Sequence, residues 1–297
     1  LASEYQFYVY CSKNSYKNKL KVYKGAKLIT LPLNANGSQS IIYDIVSIIH
    51  SLFYADVLVI LGTPGAVILP LLKVFNKKVV VNFGGLEWKR DKWPGTVRRY
   101  LKFTEKLAVK YSNVVVADNQ AFIDYISNEY KVKSILIEYG GDHVLTSFEE
   151  EILINKYPFV KKEYFISVSR AQIDNNIHML LEGFDKSTTK SLLVIISNWG
   201  FTEYGRQLKE KYSNRANIIL LDAIYDQKEI DFLRKNTKLY IHTHSFCGTA
   251  PSLVEAMNLG LPIICFDVDT NRYTTEDKAA GYFKSSAELS KLLSTLT

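Results

Sequence analysis

The sequence predicts an α/β protein made of two parallel-sheet domains that face each other across a cleft. Three observations predict it. Short apolar, β-prone runs alternate with runs of helical spacing, which is the pattern of a parallel sheet with helical crossovers. The alternation stops once, over residues 144–162, and then restarts. The stretch 238–269 reads as strand, tight loop, helix and strand in succession. Both domains are expected to carry their functional loops at the C-terminal ends of their strands, where open α/β sheets bind ligands.

In chain order, residues 5–11 are expected as a strand, 12–26 as a basic polar connection and 27–31 as a short strand. Residues 40–53 carry apolar side chains at helical spacing, 56–61 a strand, 66–75 a buried helix and 78–82 a strand. A polar, aromatic loop follows at 84–93, then a long amphipathic helix at 97–112, a strand at 113–117, a helix at 119–130 and a strand at 134–138. The first domain is placed at 1–146, a linker containing Pro158 and Lys161-Lys162 at 147–162, and the second domain at 163–297. There the strands are expected at 164–169, 191–197, 218–221, 239–243 and 261–266. The helices are expected at 177–187, 204–212, 227–236, 251–258 and 285–296.

Composition narrows the class. The 297 residues suffice for one large core or two ordinary ones, and 47% hydrophobic with 23% charged residues is ordinary for a globular chain. A net charge of +7 favours an anionic partner such as nucleotide, phosphate or lipid headgroup. No nucleic-acid module is recognisable, so nucleic acid is not expected as a partner. The odd, scattered cysteines Cys11, Cys247 and Cys265 argue for a reduced, cytoplasmic protein. No signal peptide is present. The most apolar run, 57–75, is interrupted by Gly62, Pro64, Gly65 and Pro70, and so is a strand, turn and helix, not a membrane span.

Within 238–269, Pro251 suits the first position of a helix because the N–H it lacks has no partner there. Gly260 and Pro262 follow the expected helix end. The free amides at 249–253 make an anion site, and Glu255 lies more than a turn inside the helix, on a face that can look back at the same ligand. Ser252-x-x-Glu255 could also be a capping box, but Pro251 moves the cap to Thr249 or Ala250.

Several segments together resemble retaining glycosyltransferases of the GT-B fold, family 4, and among them bacterial rhamnosyltransferases of polysaccharide assembly. They are Gly85-Leu-Glu-Trp-Lys-Arg90 with Lys92-Trp93, Ile137-Glu-Tyr-Gly-Gly-Asp142, Ser169-Arg-Ala-Gln-Ile-Asp-Asn-Asn-Ile177, Asn198-Trp199 with Tyr204-Gly205, Ala223-Ile-Tyr-Asp226, and His244-Ser through Glu255-Ala-Met257. The resemblance implies two Rossmann-like domains, an acceptor held by the first and a sugar-nucleotide donor, dTDP- or UDP-linked, held by the second. It implies that Glu255 bonds the ribose hydroxyls, using a carboxylate's capacity to accept two hydrogen bonds at once. Arg170 would hold the diphosphate by charge-assisted bonds, and Gly248 and Thr249 would give it backbone N–H groups. Ala223 and Ile224 would meet the base, while Asn198, Trp199 and His244 would line the donor pocket, a packing role being an equal reading for Trp199. Arg170 and, on the acceptor side, Glu87 are the candidate catalytic residues. No side-chain nucleophile is evident, and no metal or other cofactor is expected.

The chain departs from the resemblance in places. Asn175 stands where many relatives have a Lys, so Lys209 or the basic cleft would have to substitute. Cys247 replaces the first carboxylate of a Glu-x7-Glu pair, and Gly84 stands where relatives carry Asp or His. Relatives begin with a strand and a Gly-rich loop and end with a crossing helix, so the chain is expected to be trimmed at both ends. Other chemistries are weaker. His242, His244 and Cys247 have metal-ligand spacing without an evident fourth ligand, and Asp267 and Asp269 more often simply end a strand. Gly-x-Ser-x-Gly, phosphate-loop and intact Gly-x-Gly-x-x-Gly motifs are absent. Trp88, Lys89, Arg90, Lys92, Trp93, Arg98 and Arg99 form a basic-aromatic patch suited to an anionic membrane surface. The reading is therefore a transferase of L-rhamnose from dTDP-L-rhamnose to a lipid-linked saccharide, with retention, at the inner face of the plasma membrane. The alternatives are a non-catalytic nucleotide-sugar-binding or scaffold subunit and a two-domain periplasmic-type binding protein.

Overall fold

A computed structural model describes residues 4–13, 20–35, 37–90 and 93–295. Lys92 of the basic-aromatic patch, residues 14–19 of the basic connection and the last residue of the expected final helix lie outside them. The chain divides into two compact units, Leu1–Ala117 with Ile123–Leu136, and Asp118–Phe122 with Ile137–Thr297.

The first unit contains β1 (Tyr8–Ser12), β2 (Val22–Tyr23), β3 (Ala26–Leu31), α1 (Ser40–Ser51), β4 (Val57–Leu61), α2 (Leu69–Val74), β5 (Lys78–Asn82), α3 (Gly95–Tyr111), β6 (Val114–Ala117), most of α4 (Gln120–Tyr130) and β7 (Ile135–Leu136). Its strands form two sheets, β1-β3-β2 and the wholly parallel β4-β5-β6-β7. Val79 and Val81 of β5 and Leu58 of β4 pack with Leu69 and Leu72 of α2, Ile48 of α1 and Ala108 of α3. The other face of β4 is open, with Val59 65% and Leu61 81% exposed. The helix expected at 66–75 is a 3-10 turn, Ala66–Ile68, joined to the short α2. Pro70 lies in the first turn of α2, where it fits.

The second unit contains α5 (Glu150–Lys156), β8 (Tyr164–Val168), α6 (Ile177–Asp185), β9 (Leu192–Ser197), α7 (Glu203–Tyr212), β10 (Ile218–Asp222), α8 (Gln227–Lys235), β11 (Leu239–His242), α9 (Pro251–Asn258), β12 (Ile263–Phe266), α10 (Asp269–Thr274), β13 (Gly281–Phe283) and α11 (Ser286–Thr295). Its six strands are all parallel in the order β10-β9-β8-β11-β12-β13. Alternate residues of each strand enter different cores, as a period of two requires. Phe165, Leu193, Ile195, Leu239, Ile241 and Ile264 join α6 and α11 on one face. Tyr164, Ile166, Val194, Ile196, Tyr240 and Cys265 join α8 and α9 on the other. Burial on both faces is why these strands are apolar almost throughout.

One expectation needs correction here. The expected linker is not irregular, because α5 runs through it and buries Leu153 and Tyr157 against the second core. Its acidic first turn and basic last turn suit the helix dipole. The stretch between β12 and α11 holds α10 and β13.

Candidate functional site

Numbered within the unit, the second sheet runs 3-2-1-4-5-6, and the order reverses between β8 and β11. At such a switch point the loops leaving two adjacent strands diverge and open a crevice above the strand ends. Here the loops after β8 and β11 are laced together at their bases. Thr243 donates its hydroxyl to the Asn175 carbonyl, and Asn176 donates through Nδ2 to the Thr243 carbonyl at 3.0 Å. Ser245 reaches the Asp174 carbonyl with its amide at 3.2 Å and its hydroxyl at 2.8 Å. Asn176 adopts φ +52°, in the left-handed region that Asn tolerates better than most residues, just before α6 begins.

Arg170 leaves the end of β8 with an exposed side chain, and its guanidinium makes no hydrogen bond or ion pair with the described residues. Its backbone is fixed from two sides: Asn175 donates through Nδ2 to the Arg170 carbonyl at 2.8 Å, and Asn198 accepts the Ala171 amide on Oδ1 at 2.8 Å. Asn175 thus braces the backbone that carries Arg170. Asn198 is committed to the same bracing. Lys209 is paired with Asp222 at 2.7 Å, at the end of the edge strand β10. Ala223 and Ile224 lie half-buried just beyond it, with Ile224 against the apolar core.

Trp199 takes the packing role that the sequence also allows. It is 1% exposed, packs in the core with Phe165, Ala171 and Leu208, and donates its indole N–H to the Leu221 carbonyl at 2.8 Å.

The loop after β11 is tied to residues 118–122 of the same unit. Asn119 donates through Nδ2 to the Thr249 and Thr274 hydroxyls at 3.1 and 3.0 Å and to the Thr270 carbonyl at 3.0 Å. Thr249 in turn donates its hydroxyl to the Asp118 carbonyl. Thr249 is therefore buried, and its amide lies beside the Asp118 carboxyl, which burial raises above the ordinary range against the pull of that amide. This redirects the expectation that Thr249 offers its amide to phosphate. Gly248 is required by the same contact, since a Cβ there would lie 2.1 Å from Asp118 Oδ1 and 2.8 Å from the Phe122 ring. His244 is half-buried, with its ring 4.5 Å from that of His242 and its carbonyl accepting from Asn271 at 3.0 Å.

Ligating atoms of His242, His244 and Cys247 come within 4.8 Å of one another, and no fourth His, Cys, Asp or Glu joins them among the described residues. His242 is buried, which pushes its imidazole well below the ordinary value.

Glu255, on α9, has its carboxylate shared. Oε2 meets Arg234 Nη2 at 2.5 Å and Oε1 meets His143 Nε2 at 3.0 Å. Arg234 on α8 is buried and also reaches Asp231 Oδ1 at 3.2 Å, while Asp231 Oδ2 accepts the Leu145 amide and Gln227 Nε2 at 3.0 and 2.7 Å. Sequence reasoning missed Arg234 and His143. The signal for the first was an Asp-x-x-Arg pair inside the apolar run Ile230-Asp-Phe-Leu-Arg234.

Glu87 belongs to the first unit, in the 3-10 turn Glu87–Lys89, and is ion-paired with Arg90 at 3.3 Å. Nearby, Lys102 lies 4.8 Å from the Trp88 ring centre and bonds the buried Glu105 at 3.1 Å. The indole nitrogens of Trp88 and Trp93 are buried, and Arg98 donates to the Trp93 carbonyl at 2.9 Å. The aromatic half of the expected patch is thus packed inward, leaving Lys89 and Arg99 exposed.

The structure therefore gathers Arg170, Asn198, Ala223, Ile224, His244, Gly248 and Thr249 on the C-terminal edge of one sheet, with Glu255 on the helix that follows. No helix among the described residues is long and apolar enough to cross a membrane.

Residues 2–142 match a domain of unknown function, DUF1972, and residues 149–295 match glycosyl transferases group 1. No curated protein matches. Among solved structures, WaaG, a glycosyltransferase involved in lipopolysaccharide biosynthesis, is similar at 16% identity and TM-score 0.74, covering 99% of this chain and 83% of its own. Anabaena HepE in complex with UDP is similar at 15% identity and TM-score 0.67, covering 91% and 76%. Sucrose-phosphate synthase from Thermosynechococcus elongatus is similar at 11% identity and TM-score 0.81, covering 99% and 80%. Residues 149–295 are thus a glycosyl transferases group 1 domain, and the fold of the chain is that of the GT-B glycosyltransferases.

Proposed function

We propose that the chain transfers a sugar from a nucleoside-diphosphate donor, dTDP- or UDP-linked, to a saccharide acceptor with retention of configuration. The observation that carries this reading is the switch point of the second sheet, which sets the exposed Arg170 beside the loop that starts α9. HepE, similar in fold, has been solved with UDP and with UDP-glucose. The diphosphate would rest against Arg170 and the Gly248 amide, at the loop that starts α9. Stabilising a leaving diphosphate in this way, with the reactants held in place, is the main source of rate where no side-chain nucleophile is at hand. L-rhamnose as the sugar and a lipid-linked saccharide at the inner membrane face as acceptor rest on the motif resemblance. The exposed Lys89 and Arg99 support the membrane contact.

Calorimetric titration with UDP and dTDP tests the reading. Arg170→Ala removes an exposed, unbraced side chain and is expected to weaken binding about tenfold or more, since hydrogen bonds to charged groups contribute about 1.5–3 kcal/mol, with the thermal midpoint unchanged. Failure of both nucleotides to bind, or equal binding by the variant, would refute the site. Binding without transfer in any acceptor mixture would instead favour the non-catalytic subunit, which the Cys247 and Asn175 replacements also favour.

A further inference from the structure

Arg234 is a buried cation of the second unit that takes no part in the proposed diphosphate contact. Its guanidinium spans two helices: Nη1 meets Asp231 on its own helix, and Nη2 meets Glu255 on α9. The environment of Glu255 is two-sided. Arg234 is 2% exposed and lies on the protein side, whereas the His143 side chain is 51% exposed and lies on the solvent side. The Glu255 side chain between them is 14% exposed.

His143 reaches this place because the preceding backbone can lie against α9. A Cβ at Gly141 would sit 2.8 Å from Asn258 Cβ and 3.0 Å from the Val254 carbonyl oxygen, so only glycine fits there. Two residues on, the Leu145 amide bonds Asp231, and the segment is pinned at both ends of the Asp231–Arg234–Glu255 chain.

We propose that Arg234 is the positioning residue of Glu255, and that His143 occupies the face of the carboxylate that a ribose hydroxyl must take. This rests on the nucleotide reading of the site. Arg234 fixes Oε2 from within, so the carboxylate cannot rotate away from the crevice. A planar guanidinium can span Asp231 and Glu255 at once, and an ammonium cannot reproduce that fork. His143 then satisfies Oε1 in the free protein. A donor ribose displaces it, so the net gain from the ribose hydroxyls is reduced by the bond that is lost.

The test compares UDP, 2′-deoxyuridine diphosphate and 2′,3′-dideoxyuridine diphosphate in calorimetric titrations of the full chain. The wild type is expected to bind UDP about tenfold more tightly than the dideoxy compound, with the 2′-deoxy compound between them. Arg234→Lys should bring that ratio close to one while leaving dideoxy affinity unchanged; a merely structural role for Arg234 would weaken all three equally. His143→Ala changes a half-exposed side chain and keeps the test decisive even if the Arg234 variant fails to fold. It should strengthen UDP about threefold or more and leave the dideoxy compound unaffected. An unchanged ratio in both variants, or weaker UDP binding by His143→Ala, would overturn the proposal while the diphosphate site at Arg170 stands. Absence of UDP binding by the wild type would overturn both.

Discussion

Asp44 shows how one side chain couples burial to pH. It sits on α1 beside the turn after β4, accepts a hydrogen bond from the Gly65 amide, and is pushed up to about 6 by burial, from 3.8. The sign follows from proton counting. Between about pH 4 and 6 the folded state keeps a proton that the unfolded chain has released, so stability falls as the pH rises through that window and stays lower above it. Partial exposure limits the loss to about 2 kcal/mol. Asp44→Asn should remove it, so the variant's advantage in urea unfolding should grow from pH 4 to pH 7; a difference constant with pH would refute the assignment. At this scale the sequence was legible where a motif carries its own geometry. The placement of Arg170 just past a strand end and of Glu255 inside the helix that Pro251 opens is readable in this way. That of His143 and Asn119 is not, because their partners lie 112 and 130 residues away and no local pattern points to them.

Among elements, β4 stands out. All five of its residues are apolar, as in a strand buried on both faces, yet Val57, Val59 and Leu61 are exposed and the strand ends its sheet. An apolar edge of this kind is a template for pairing with another chain. The 297-residue chain is therefore expected to self-associate with rising concentration, and Val59→Lys to reduce this in light scattering without lowering the urea midpoint. Equal scattering by both proteins would contradict the assignment. The long, periodic elements were readable from sequence, and α9 was predicted residue for residue. Elements held by polar contacts were not. α10 has the sequence Asp-Thr-Asn-Arg-Tyr-Thr, with no apolar stripe, and is anchored by the buried Asn271, which donates to the Phe266 carbonyl at 2.8 Å. α5 was hidden by the Pro158 and paired lysines that follow it.

For the whole molecule, the second unit realises the strand order 3-2-1-4-5-6 from an alternation visible in the chain, and Arg170, Asn198, Ala223 and His244 follow four of its strand ends. The net charge of +7 suits an anionic donor. Strand order itself was not legible, because periodicity reveals strands and not their neighbours. The proposed function stands or falls on a nucleoside diphosphate binding at the reversal between β8 and β11. A crystal structure of the protein grown with UDP measures this directly. The diphosphate is expected above those two strand ends, within hydrogen-bond distance of Arg170, with the ribose on Glu255. UDP bound elsewhere, or bound there with Arg170 and Glu255 both out of reach, would contradict it.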